Sequence, residues 1–170
     1  MVMLKKMAKG AFFLAIAFAA APGFAQVLGP DAAACRPGAG QSAVLVSVNG
    51  FKERTGRIRV QLYRANDEFL ARGRYLQRID LPVSGGAGPM RFCVNAPAPG
   101  RYAIAVRHDV DGNGSSGWND GAGFSRNPSL SLTRLRPNVN AVAIDVGRGV
   151  TPVNVVLNYR FGLSIHPVRG

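Results

Sequence analysis

Five residues between Asp109 and Asp120 have the types and the spacing to hold a hard cation. Asp109, Asp111 and Asn113 stand at positions 1, 3 and 5 of a twelve-residue stretch, with Gly114 at position 6, Ser115 at position 7 and Asp120 at position 12. This matches the calcium-loop pattern D-x-[DN]-x-[DN]-G-x5-E, with Asp in place of the final Glu. Calcium takes six to eight oxygen ligands at about 2.3–2.6 Å. Alternate residues of a tight loop can aim three side-chain oxygens at one point, and a glycine permits the sharp bend beside them. The Ser115 carbonyl would be the backbone ligand, and water would fill the place of Gly117, which has no side chain. Asp120 is one carbon shorter than Glu, so two-oxygen coordination is harder to reach. The expected affinity is weak, on the order of 10⁻⁴–10⁻³ M. Asp, Asn and Gly are also the preferred turn formers, because Asx side chains bond their own backbone. A metal-free polar turn therefore stands beside Ca2+, the one cofactor these residues propose.

His108 beside Asp109 raises a second chemistry, acid–base catalysis. A hydrolase built on His108 and Asp109 would need a cleft around His108 and a nearby hydroxyl such as Ser125. No nucleophile sits in a recognisable elbow, and Cys93 is expected to be oxidised. Zinc needs more ligands than His108 and His166 supply. The expectation is a protein that is not an enzyme, with His108 bonding loop backbone at the end of a strand. Trp118, the single tryptophan, either stacks on a sugar ring or anchors its own loop. His108, Trp118, Phe124, Ser125 and Asn127 form the candidate binding set.

The compartment is read from the N-terminus. Lys5, Lys6 and Lys9 precede an apolar run over 10–21, Pro22 and Gly23 break it, and Ala25 supplies a small residue at the cleavage position. Residues 1–25 read as a secretory signal peptide. The run is too short to span a bilayer, which needs about 20 apolar residues, and no later segment is long and apolar enough. After cleavage the protein is expected in the periplasm or secreted, and not transmembrane. The whole chain carries +12; the 145 residues after position 25 keep 18 of 21 basic and all nine acidic groups, a net +9. Lys52 is the one lysine left. Arg57, Arg59, Arg64, Arg72, Arg74, Arg78, Arg91, Arg101 and Arg107 are scattered singly, unlike the clustered stripe of a nucleic-acid protein. They fit a solvated surface, or attraction to an anionic envelope polysaccharide; another envelope protein is the alternative partner. Cys35 and Cys93 are an even pair in an oxidising compartment and read as one disulfide. It would close a loop of 58 residues, worth about 4 kcal/mol in the chain-entropy model, and tie an N-terminal arm, 26–42, to a strand.

What must position the loop is a set of short strands. Val44, Val46 and Val48 alternate with Leu45, Ser47 and Asn49, and Ile58, Val60 and Leu62 alternate with Arg57, Arg59 and Gln61. A period of two marks half-buried antiparallel strands. Further strands are expected over 75–83, 90–95, 101–107, 139–146 and 151–159. The one over 101–107 puts Tyr102, Ile104 and Val106 inward, and the last has Val153, Val155, Leu157 and Tyr159 on one face. A helical turn is expected over 67–73. About seven strands with Gly, Pro and Asn turns indicate an all-β fold: a single antiparallel β-sandwich, immunoglobulin-like or transthyretin-like, over 43–161. Residues 162–170 read as a C-terminal tail or a last edge strand. The polar stretch 108–127 is then a long loop at one end of the sandwich.

Gly100-Arg101-Tyr102-Ala103, His108-Asp109, Asp111-Gly112-Asn113-Gly114 and Gly123-Phe124-Ser125-Arg126-Asn127 together resemble the bacterial domain-of-unknown-function 2141 family. Its members carry G-x-Y-A-x-x-x-x-H-D-x-N-x-N-G followed by G-F-S-x-N. The resemblance implies a small exported β-sandwich without an established activity, so it carries no catalytic residue over. Many members have Pro-x-Glu shortly before Gly-Phe-Ser. Here Asn119-Asp120-Gly121-Ala122 stands instead, with Asp120 in the position to replace that Glu.

Overall fold

The structure is a computed structural model, and it describes residues 26–168. The expected signal peptide lies outside the described residues. Among the described residues eleven strands form two sheets. The smaller has the order β1-β5-β2-β9, from Val27–Leu28 (β1), Met90–Asn95 (β5), Ser42–Asn49 (β2) and Gly149–Val156 (β9). The larger runs β11-β10-β7-β6-β3-β4, from Ser164–Pro167 (β11), Asn158–Phe161 (β10), Gly121–Phe124 (β7), Gly100–Asp109 (β6), Arg57–Arg64 (β3) and Gln77–Pro82 (β4). Ile144–Val146 (β8) adds to it beside β6. Among the described residues no helix is long and apolar enough to cross a membrane.

The period-two patterns place one side chain in two between the sheets. Val44, Val46, Val48, Phe92, Val94, Val153 and Val155 come from the smaller sheet; Ile58, Val60, Leu62, Ile104, Val106 and Tyr159 face them from the larger. Burying each aliphatic side chain of this size stabilises the fold by about 1.5–3 kcal/mol. A second cluster lies on the outer face of the larger sheet, where Tyr63, Ala103, Ala105 and Phe124 meet Leu130 and Val142. The stretch Tyr102-Ala103-Ile104-Ala105-Val106 is therefore covered on both faces. Tyr102 turns its hydroxyl back to the Ala98 carbonyl at 2.8 Å and fixes the entry to β6.

Several expectations need correction. The sheets are not purely antiparallel: β2 pairs with β9, and β1 with β5, in parallel. Residues 139–146 are not one strand. Asn138 accepts a hydrogen bond from the Asn140 N–H and caps a one-turn helix, Val139–Val142 (α1), before β8 begins. The inward face Val153, Val155, Leu157 and Tyr159 exists, but the strand breaks at Leu157. There the chain passes from β9 in one sheet to β10 in the other, and the Leu157 N–H donates to the Asn49 carbonyl at 3.0 Å. Residues 67–73 form separate turns rather than a helix, closed by Phe69 N–H on Asn66 and Ala71 N–H on Glu68. Leu70, with φ of 63°, interrupts any helical run. The chain over 162–170 contains β11, the edge-strand alternative.

Cys35 ends a one-turn 3-10 helix, Ala32–Cys35, and is joined to Cys93 in β5, with Cα atoms 5.8 Å apart. With β1 it holds the N-terminal arm against the smaller sheet, where Ala34, Ala43 and Cys93 close a small apolar cluster.

Candidate functional site

The polar stretch is a hairpin loop. β6 and β7 are antiparallel neighbours in the register His108↔Gly121 and Ala105↔Phe124, so residues 110–120 cross between them. His108 and Asp109 belong to the strand rather than the loop. Successive strand residues point to opposite faces, and this separates them: His108 faces the core and Asp109 the outer side with Arg107.

The carboxylates of Asp109, Asp111 and Asp120 converge, each offering an oxygen within 4.8 Å of the others. Asp109, only 3% exposed, anchors the group. Its Oδ2 accepts the Gly114 N–H at 2.8 Å and the Arg107 guanidinium at 3.2 Å. Its Oδ1 is buried and has no hydrogen-bond partner among the described residues. Burial raises the Asp109 carboxyl, but the Gly114 N–H, the Arg107 guanidinium and the Gly112 N–H outweigh it and hold the group below the ordinary carboxylate range. Asp111 accepts the Asn113 N–H at 3.1 Å, and Asn113 Oδ1 accepts the Ser115 N–H at 2.7 Å, the self-bonding turns that Asx residues make. Asp120 braces the loop neck through Val110 N–H at 3.1 Å and Gly117 N–H at 2.8 Å. Ser115 is exposed at the tip.

Arg107, which the sequence reading of the loop did not include, spans it. Its guanidinium donates to Asp109, to the Gly114 carbonyl at 3.0 Å and to Ser116 Oγ at 3.3 Å. The signal was present: Arg107 lies two residues before Asp109, hence on the same face of the strand. Gly56, also missed, underlies the loop. A Cβ there would stand 1.9 Å from the Asp109 carbonyl oxygen, and its φ is +71°.

His108 is fully buried. Its Nε2 lies 2.8 Å from the Thr55 carbonyl oxygen, and its Nδ1 2.6 Å from the Tyr159 hydroxyl. A carbonyl only accepts, so Nε2 carries the proton and Nδ1 accepts from Tyr159. Burial pushes the Tyr159 hydroxyl up to about 12. Ser125, also fully buried, is engaged elsewhere: it accepts the Ile104 N–H at 3.0 Å and donates to the Val142 carbonyl. It completes the β6 ladder where β7 ends and β8 has not begun. His108, Asp109 and Ser125 are thus not brought together. Phe124 packs in the outer cluster, against Phe69 edge to face. Asn127, at φ of 47°, reaches across to β9, accepting the Val156 N–H at 2.7 Å and donating to the Asn154 carbonyl at 3.0 Å. Trp118 is 73% exposed, and the Arg160 guanidinium lies over its ring at 3.4 Å from the centroid.

Burial holds the His108 imidazole below the ordinary histidine range, against the opposing pull of the Thr55 carbonyl. Below the ordinary value of 6.5 the unfolded chain takes up a proton that the folded chain lacks. The stability tied to neutral His108 is therefore present above pH 6.5 and lost on acidification, by at most about 1.4 kcal/mol per pH unit, until the folded imidazole itself takes up the proton. Urea unfolding at about pH 7 and about pH 5.5 reads this slope, and His108→Gln should lack it. Equal slopes in the two proteins would remove His108 as its source.

Across residues 46–154 the chain matches the model of a family described as an uncharacterized protein conserved in bacteria, domain of unknown function 2141. The chain belongs to that family. No curated protein and no solved structure matches it.

Proposed function

We propose that this is an exported, non-enzymatic binding protein of the envelope whose β6–β7 hairpin holds Ca2+. One observation supports the reading: three carboxylates meet at the loop neck, and the buried Asp109 Oδ1 has no hydrogen-bond partner among the described residues. A buried charged oxygen without a partner is costly, and a divalent cation supplies what is lacking. Asp109, Asp111, Asn113 and Asp120 provide side-chain oxygens and Ser115 a carbonyl. Arg107 and Arg57, which stands opposite Asp109 on β3, offset part of the charge of the three carboxylates; the remainder favours a cation, and the Asx turns order the loop for it. Bound calcium would stiffen the hairpin and present Trp118. The scaffold fits a sandwich of the immunoglobulin-like or transthyretin-like kind, supported by two facing sheets and by the Tyr102 hydroxyl bond to Ala98.

Trp118 lies inside the loop and can sensitise terbium luminescence there. The wild type should give sensitised emission at about millimolar terbium. Asp111→Asn, at an exposed position that leaves the fold intact, should weaken the signal at least about tenfold. No sensitised emission from well-folded wild type would defeat the calcium reading.

A second reading, an arginine face for anionic envelope polymers, is favoured by the cavity of about 180 Å³ that Arg57, Arg59, Arg78 and Arg107 surround. Asp80 ties down two of these, Arg59 at 2.7 Å and Arg78, and Asp109, which also lines the cavity, a third, Arg107 at 3.2 Å.

A further inference from the structure

The outer face of the larger sheet carries a groove beside the hairpin, and of the proposed calcium ligands Asp120 alone lines it. It encloses about 720 Å³, within the range of small-molecule sites. Its floor is apolar because β6 and β7 place small residues there: Ala122 stands opposite Arg107, Ala105 lies two residues before Arg107 and opposite Phe124, and the two leave a trough that larger side chains would fill. Phe124 and Leu135 extend that floor. Leu135 is 54% exposed, a large apolar side chain at the groove wall with little protein covering it.

The rim is cationic. Arg59, Arg72, Arg107 and Arg136 line the groove, and Asp120 is its one acidic residue. Both Asp120 oxygens already accept backbone N–H groups. Arg72 and Arg136 form no ion pair among the described residues. Arg107, which lines this groove and the adjoining arginine cavity, keeps a buried Nε–H without a hydrogen-bond partner among the described residues. Arg59 and Arg107 stand directly opposite each other on β3 and β6, and each already has a carboxylate: Asp80 on Arg59 at 2.7 Å and Asp109 on Arg107 at 3.2 Å.

We infer that this groove binds a small organic anion: an acid group at Arg72 and Arg136, the rim arginines that form no ion pair among the described residues, with an apolar ring or alkyl chain over Ala105, Ala122 and Leu135. The inference deepens the arginine-face reading and rests on it, not on the calcium cage. Guanidinium groups match carboxylate, sulfonate and phosphate oxygens in paired hydrogen bonds, and the floor removes apolar surface from water. A polymer chain would meet the rim charges but has no use for an apolar trough walled by two loops.

The test uses the mature protein in EDTA, so that failure of the calcium reading cannot affect it. The probe is 8-anilinonaphthalene-1-sulfonate, compared with its uncharged analogue N-phenyl-1-naphthylamine. Saturable binding of one sulfonate dye per chain is expected, at least about tenfold tighter than the neutral dye. Arg136→Gln and Arg72→Gln, both exposed and outside the core, should each weaken the sulfonate dye about threefold or more while leaving the melting temperature unchanged. Dodecanoate should displace the dye at concentrations where sulfate does not. Equal affinity for the two dyes, indifference to both arginine substitutions, or no saturable binding would each overturn the inference. Salt-sensitive binding of polygalacturonate without dye binding would also overturn it, while leaving the arginine face itself standing.

Discussion

Gly123→Val is expected to keep the chain from its native state. β7 passes so close to the β9–β10 crossing that a Cβ on Gly123 would lie 2.6 Å from Val155 Cγ1 and 2.9 Å from the Val156 carbonyl oxygen. Neither neighbour can yield. Val155 is fully buried in the core, and β9 is held to β2 through eight paired residues. Overpacking a well-filled core costs about 1–3 kcal/mol, and a clash with backbone stands at the top of that range. Gly123→Ala should therefore lose about 3 kcal/mol in urea unfolding, and the valine, with two more carbons, should exceed what a domain of this size can spare. Gly147→Ala is the control, because nothing lies within 4 Å of a Cβ there; it should change stability by less than about 0.5 kcal/mol. A Gly123→Val protein with the native melting temperature would mean that the crossing has room for a side chain after all.

Asp109→Ala has the second largest expected effect, and it divides in two. The substitution leaves the Gly114 N–H without its acceptor and the Arg107 guanidinium without its carboxylate. Losing a buried charged partner of this kind costs about 2–4 kcal/mol. Asp109→Asn separates the roles. Its amide oxygen still accepts from Gly114, so less stability is lost, but the charge that would face a cation is gone. Calcium affinity should fall at least about a hundredfold in both variants, with the stability loss in the asparagine no more than about half that in the alanine. Calorimetric titration and urea unfolding of the two proteins read the two effects. Undiminished calcium binding by Asp109→Asn would remove Asp109 as a ligand.

The family motif separates along the same line. In Gly123-Phe124-Ser125-Arg126-Asn127 the matched residues all serve the scaffold. Gly123 permits the close approach to β9, Phe124 fills the outer cluster, Ser125 completes the β6 ladder and Asn127 clamps β9. His108 joins that scaffold through Thr55 and Tyr159. The acidic residues of the hairpin have no comparable structural employment for Asp109 Oδ1.

Strands with strict alternation were legible because one buried face imposes a period of two, as at Val44-Val46-Val48 and Ile58-Val60-Leu62. The Cys35–Cys93 pairing was legible from count alone. β7 was not, because Gly121 and Gly123 have low strand propensity, and they are there for close packing that a sequence does not display. The crossing at Leu157 was hidden by an unbroken alternation: the same face continues while the backbone changes sheets. The helix α1 was masked by a Val-rich run, although Asn138 is a capping residue. At the site, the spacing of Asp109, Asp111 and Asp120 anticipated their convergence, whereas Thr55 and Gly56 reach the loop base through tertiary contacts that no local pattern reveals.

The central claim is that the hairpin completes itself by taking a calcium ion. A ligand that binds only the folded chain stabilises it in proportion to the logarithm of its excess over the dissociation constant. Melting in about 10 mM CaCl2 against EDTA at matched ionic strength should show about 1.4–2.7 kcal/mol of added stability for the affinity expected of this loop. That is a rise of several degrees, and Asp111→Asn should lose most of it. A wild-type melting temperature that is the same in calcium and in EDTA would contradict the account.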